Sequence, residues 1–342
     1  MTTRPEGSAG TGSSPERAGA AAALHADAIV CDMILPWTEY GRQDLREATL
    51  PRMARNGVDF VSLTLAADMQ TQAQVFNAIA RERRYLLERP ERFRLIETVD
   101  DILDSKSKGR LAVSFNLQGT NALAGNLDMV ETFYKLGVRQ ALMAYNYKNL
   151  VGDGCHERTD GGLSQFGVEL IQEMNRVGMI VDCSHTGYRS SMEAMEISSQ
   201  PVVFSHSNPR ALWAHDRNIR DDQAKACAAT GGLIGVVGLG IFMGEDDAST
   251  AMLLRQIDHY AALVGTEHVG LGLDYCYDVE AMQEIMTRVA PASGNYDNMN
   301  GFFQPEQLPE LTEAMLAKGY SERAVRGILG ENFLRVAGEV WR

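Results

Sequence analysis

Two histidines with matched surroundings offer the clearest chemistry in this chain. His185 and His206 each follow a serine. Each Ser-His pair closes a short apolar run, Met179–Val181 in one case and Pro201–Phe204 in the other. Runs of that length, bounded by turn residues, read as strands buried on both faces. The intervening Tyr188–Ser198 has helical composition and stops before Pro201. The result is a strand, helix, strand unit with imidazoles at equivalent strand ends. In parallel α/β proteins, sites are assembled at the carboxyl ends of the strands, and two imidazoles placed there can share one metal ion.

Other polar residues follow other apolar runs: Asp32, Gln118, Tyr145 with Asn146, and Asp274, while Arg217 lies on the loop after the second Ser-His. Histidine and carboxylate together suit zinc, which lowers the pKa of bound water to about 7. Asp274, in GLGLDY, would orient that water or take its proton. Arg217 offers a planar fork to a substrate carboxylate. Plainer roles compete. Asp32 could cap a loop, Arg217 could pair with Asp216 or Asp221, and Tyr145 could be a wall residue with a bonded hydroxyl. Cys155 and His156 fall in the polar stretch GDGCHERTDGG, and loop polarity accounts for them. His25, His215, His259 and His268 have no clustered partners and read as structural or surface residues.

The elements that must position these residues alternate. Strands are expected at Ala28–Cys31, Val58–Leu65, Leu111–Leu117, Val138–Ala144, the two runs above, Leu233–Val237 and His268–Leu273. Helices fall between them, at about Gln72–Leu87, Leu127–Leu136, Phe166–Arg176, Asp221–Ala229 and Ala251–Val264, several stopped by glycine. Eight strands alternating with helices argue a (β/α)8 TIM barrel with C-terminal helices over Pro305–Trp341. A doubly wound open sheet is the alternative, but no GxGxxG follows the first strand. Residues 1–22, rich in Gly, Ser and Ala, read as a disordered tail, and 23–342 as one domain. Residues 280–304 read as a long insertion.

The net charge of −13 over 342 residues argues against nucleic acid and anionic membrane as partners. No apolar run approaches the roughly 20 residues of a membrane span. Five dispersed cysteines without CxxC spacing suggest reduced thiols and a cytoplasmic setting.

The strings VDCSHTG, PVVFSHSNPRAL, HDRNIRDDQ, YNYKNLVGDG and VGLGLDY, with FYKLGVR and GENFLRV, occur in one order. In that order they resemble the membrane (renal) dipeptidase family of metallopeptidases. The resemblance implies a (β/α)8 barrel, a zinc centre and dipeptide hydrolysis, often in a homodimer. By the same resemblance His185 and His206 match two ligands of one zinc, Arg217 matches the arginine that holds the substrate carboxylate, and Asp274 matches the aspartate that handles the water proton. Three positions depart from the family pattern. The first strand usually ends in Asp-Gly-His-x-Asp. Here it reads CDMILPW, which keeps Asp32 but neither the His nor the second Asp. Gln118 stands where the family has its bridging glutamate, and Tyr145 where it has a carbonyl-polarising histidine. A neutral amide cannot bridge two zinc ions as a carboxylate does. The expectation is zero or one zinc, held by His185 and His206 with help from Gln118 or Asp274. The pocket would hydrolyse a small dipeptide or amide with a free carboxylate. The alternatives are a lyase, an isomerase or a metal-free hydrolase acting on an amino-acid derivative, and a non-catalytic small-molecule binder.

Overall fold

In the computed structural model, residues 15–37, 41–289, 296 and 299–342 are described. Nine parallel strands form one sheet: β1 Cys31–Pro36, β2 Phe60–Ala67, β3 Phe93–Leu95, β4 Leu111–Gln118, β5 Val138–Leu142, β6 Ile180–Asp182, β7 Val203–Phe204, β8 Leu233–Val236 and β9 Val269–Leu271. Eight of them run in the order β1-β2-β4-β5-β6-β7-β8-β9, while β3 pairs with β4 outside that path. The strands are almost wholly buried, as a parallel sheet covered on both faces requires. Helices return each strand to the start of the next. That of Gln72–Leu87 opens on a capping box built by Thr71 and Gln74. That of Gln165–Val177 opens on Ser164 and ends on the left-handed Gly178.

The seam between β9 and β1 is clipped by a side chain. Asp32 Oδ1 accepts from the backbone N–H of Leu273 at 2.9 Å, two residues past β9, and from that of Ile34 at 3.3 Å. The floor of the barrel is plugged by the C-terminal helix Asn332–Val340. Its Phe333 stacks on Phe60 with centroids 4.9 Å apart, inside a cluster that includes Met33, Ile180, Val203 and Leu233. The open end, at the carboxyl ends of the strands, is left for chemistry.

The alternation is as expected, with differences at β1, at β3 and at the N-terminus, and with two helices, Gln43–Arg55 and Val99–Ser107, that were not anticipated. β1 lies at Cys31–Pro36 rather than Ala28–Cys31. The run MIL continues the strand, and a register shift between Asp32 and Leu35 absorbs the mismatch with β2. β3 went unanticipated: FRL is too short and too polar to show a period. A helix, Pro15–Asp27, begins inside the segment expected to be a tail. Its alanines are the best helix formers, and Ala21 and Leu24 are buried. The rest of that tail, and part of the expected 280–304 insertion, lie outside the described residues; the insertion opens inside the helix Val279–Val289.

Candidate active site at the barrel mouth

β6 and β7 deliver the two histidines to one point. His185 Nε2 lies 2.9 Å from His206 Nε2. Each ring is fixed from behind: His185 Nδ1 is 2.7 Å from Asn146 Oδ1, and His206 Nδ1 is 2.7 Å from Ser205 Oγ. Burial drives both imidazoles well below their usual pKa, with the charge of Arg217 adding to the effect, so both rings are neutral. Beneath them Asp182, at the end of β6, accepts from the N–H groups of Ser184 and Ser205 and from Gln140 Nε2. That carboxylate anchors both Ser-His turns to the barrel interior.

Three residues at this mouth adopt left-handed backbone: Asn146 at φ +64°, His185 at +60° and Asp274 at +54°. Such a conformation costs a non-glycine residue about 1 kcal/mol or more and persists only where surroundings impose it. The Gly-rich loop after β5 supplies part of the restraint. Cys155 N–H donates to His185 O at 2.7 Å, and His156 N–H to Asn146 O at 2.8 Å. Close approach between the ends of two non-adjacent strands supplies another: a Cβ on Gly272, just past β9, would stand 1.7 Å from the O of Ser205, just past β7.

Tyr145 stacks on His185, with centroids 4.3 Å apart. Burial, with Asp274 adding to it, pushes its hydroxyl up to about 12, so it remains a proton-bearing donor. Burial also raises the Asp274 carboxyl to about 6 against the opposing pull of Arg217. The Asp32 carboxyl, deeper still, is pushed up to about 8 by burial, with Asp274 adding repulsion.

Tyr145, His185, Gln118 and Asp274 line one cavity of about 530 Å³. Arg217 lines a second, smaller and more polar cavity of about 190 Å³, and His185 borders both. Arg217 is 2% exposed. One Nη donates to His206 O at 3.3 Å, the guanidinium lies 5.4 Å from the Phe242 ring, and its Nε is buried without a hydrogen-bond partner. Neither acid proposed as its mate takes it. Asp216 pairs with Arg210 at 3.1 Å, and Asp221 with His259 at 2.8 Å. Asn146 grips His185 rather than lining the large cavity, and Asp32 sits below that cavity at the seam.

Four other contributors stand outside the expected site, His156 among them because loop polarity accounts for it in sequence. Asp68, just past β2, accepts from Tyr145 N–H at 3.0 Å, from Asn121 N–H at 3.0 Å and from Asn149 Nδ2 at 2.9 Å. His156 Nε2 meets Tyr296 Oη at 3.0 Å, and Tyr296 lines the large cavity. Asp182 completes the set. Only a strand-end acid, as at Asp68 and Asp182, could have flagged any of them.

The donors present do not fit a two-zinc centre. Ile34 and Pro36 stand where the first-strand His and Asp would be, and Gln118 is neutral; its Nε2 reaches Thr64 Oγ1 at 3.5 Å. Among the described residues no group of three His, Cys, Asp or Glu is arranged to hold an ion. What converges is a pair of imidazole nitrogens, one donor short of the usual three-ligand catalytic zinc.

A ring of parallel strands with its polar side chains gathered at their carboxyl ends is the architecture of the barrel enzymes. Within that class, the chain belongs to the membrane dipeptidase family (peptidase family M19), whose model matches residues 21–342. It is 28% identical to dipeptidase verJ of Clonostachys rogersoniana, over 75% of this chain and 62% of that protein. It is also 28% identical to dipeptidase tcpJ of Claviceps purpurea, over 82% of this chain and 63% of that protein. The match thus spans a little over three fifths of the length of these relatives. A solved amidohydrolase from Pseudomonas aeruginosa superposes with a TM-score of 0.85 at 31% identity, covering 94% of this chain and 99% of that one. A metallopeptidase of Rhodobacter sphaeroides, solved with a phosphinate mimic of L-Ala-D-Ala, shares the fold at a TM-score of 0.75 and 20% identity, over 92% of this chain and 100% of that one.

Proposed function

We propose that the chain is a dipeptidase-like hydrolase of a small amide substrate with a free carboxylate, and that it works with zero or one zinc ion rather than two. The observation that carries this reading is Arg217. A buried guanidinium with no carboxylate among the described residues is costly unless a ligand supplies the anion. The substrate carboxylate docks there, and the scissile amide then falls beside His185, where the two cavities meet. Asp274, ionised above pH about 6, takes the proton of the attacking water. The Tyr145 hydroxyl donates to the carbonyl oxygen as negative charge grows on it. Each of these roles belongs to a side chain of the chain itself, and the described donors do not complete a metal centre.

Replacement of the first-strand ligands by Ile34 and Pro36 favours a second reading: a diverged member that performs lyase, isomerase or metal-free chemistry, or only binds, in the same pocket. The test is ligand-induced stabilisation and turnover across carboxylate-bearing dipeptides and amides, in parallel with metal analysis of protein purified without chelator. Stabilisation with hydrolysis supports the first reading, and stabilisation without hydrolysis supports the second. We also propose a homodimer and a cytoplasmic setting. Mass in solution and cell fractionation check these, and no helix among the described residues is long and apolar enough to cross a membrane.

A further inference from the structure

The two cavities that meet at His185 differ in character. The smaller, with Arg217, is polar and is lined by charges of both signs, Arg210 and Arg220 with Glu157, Asp160 and Asp216. The larger opens on the other side of His185. Part of its lining is apolar: Met282, Ile285 and Met286 from the helix Val279–Val289, with Phe242, Met299 and Phe302. At about 530 Å³ it lies within the range of about 300–1,000 Å³ that encloses a sizeable ligand. Methionine side chains adapt to apolar groups of varied shape. Asp274 is the one carboxylate among the described residues that line this cavity; Arg81 lines it as well, and its other polar groups include the neutral Thr64, Gln70, Gln74, Asn77 and Gln118.

That charge pattern discriminates between substrates. With its carboxylate on Arg217, a substrate places whatever lies on the far side of its amide in the large cavity. A free dipeptide would bring an α-ammonium there. The only acid to receive it would be Asp274, which is already engaged by the field of Arg217 and is needed for the water proton. An ammonium that gives up water for neutral amides and hydroxyls alone, with no carboxylate of its own, is disfavoured. An uncharged acyl chain loses nothing by the same move and gains from apolar contact. We infer that the substrate is an N-acyl amino acid whose acyl group is uncharged, apolar and longer than acetyl, rather than a free dipeptide. This rests on the carboxylate-anchored hydrolase reading above and narrows it. Cleavage adds water across the amide: the acyl carbon takes the hydroxyl, the nitrogen takes the proton, and a carboxylic acid and a free amino acid leave.

The test is calorimetric binding to the full chain, with both enantiomers of each ligand. Leucyl-alanine and 4-methylpentanoyl-alanine differ only by the ammonium. The desamino compound should bind about tenfold or more tightly. Along acetyl-, butanoyl-, hexanoyl- and octanoyl-alanine, affinity should rise at least twofold per methylene, toward the ceiling of about fourfold set by burying one methylene. Met286→Gln, and the half-buried Met282→Gln as a second variant, should flatten that slope and leave acetyl-alanine unchanged. Equal or tighter binding of leucyl-alanine, or a slope that survives both variants, overturns the inference. Octanamide, which lacks the carboxylate, separates the two levels. If it binds as well as octanoyl-alanine, the Arg217 anchor itself fails. If carboxylate is required but the dipeptide is preferred, only the acyl assignment fails. If none of these ligands binds, both fall.

Discussion

His185 Nε2 and His206 Nε2 face each other at 2.9 Å. With the amide oxygen of Asn146 as its partner, His185 carries its proton on Nδ1 and presents a lone pair at Nε2. The contact is then completed either by a proton on His206 Nε2 or by a cation shared between two lone pairs. Ser205 Oγ can serve His206 in either case, since it both donates and accepts. The pair therefore offers two donors to one small cation, and the described residues supply no donor set for a second. Protein purified without chelator should hold no more than one zinc per chain by elemental analysis. Gln118→Glu places an anionic oxygen in the same cavity and should tighten zinc binding about tenfold or more in a calorimetric titration. Two zinc ions per wild-type chain would contradict this account.

Arg217 makes the second prediction. A charge-assisted hydrogen bond contributes about 1.5–3 kcal/mol, so Arg217→Ala should weaken carboxylate ligands about 10- to 100-fold. Arg217→Lys should recover only part of that loss, because a point charge does not reproduce the planar fork. Ligand-induced shifts in melting temperature read both. Stability without ligand should change less, or even rise, since the variant removes a buried cation that has no ion-pair partner among the described residues.

The strand and helix rhythm was legible because its signals are local: apolar runs of three to eight residues, and helices closed by glycine, as at Gly178. His185 and His206 were legible because matching Ser-His pairs close matching strands. What could not be read was the work of side chains across the barrel. Asp32 looks like any strand-end acid in sequence, and only the closed ring shows it clipping Leu273, more than 200 positions away. The left-handed backbone at Asn146, His185 and Asp274 has no compositional mark either. These residue types enter that region more readily than most but do not require it. His156 was assigned to loop polarity, and its contact with Tyr296 depends on two loops that only the fold brings together.

Asp32 gives a pH-dependent prediction. Its carboxyl is raised to about 8 in the folded chain from an ordinary value of 3.8, chiefly by burial. A raised carboxyl means that the folded state holds a proton the unfolded chain has released. Stability from this group is therefore complete below about pH 4 and is lost progressively as pH climbs toward 8. Asp32→Asn keeps an oxygen for the Leu273 and Ile34 N–H groups and cannot ionise. Its melting temperature relative to wild type should rise between pH 5 and pH 9 in thermal melts. A difference that stays flat across that range would show that Asp32 does not carry the proton.

Asp68 tests whether Tyr145 is placed or merely present. One carboxylate gathers Tyr145 N–H, Asn121 N–H and Asn149 Nδ2, tying the turns after β4 and β5 to the end of β2. The fit is close enough that a Cβ on Gly119, at φ +141°, would stand 2.2 Å from Asp68 Oδ1. Asp68→Ala should cost about 1–3 kcal/mol of stability through unsatisfied donors. It should also loosen the ring that stacks on His185, so that kcat falls more than ligand affinity, because Arg217 remains in place. Asp68→Asn retains an acceptor of the same shape and should restore most of the stability. Denaturant melts and ligand binding on the two variants separate the effects: equal losses in both variants would mean that charge, rather than hydrogen-bond geometry, holds the loops together.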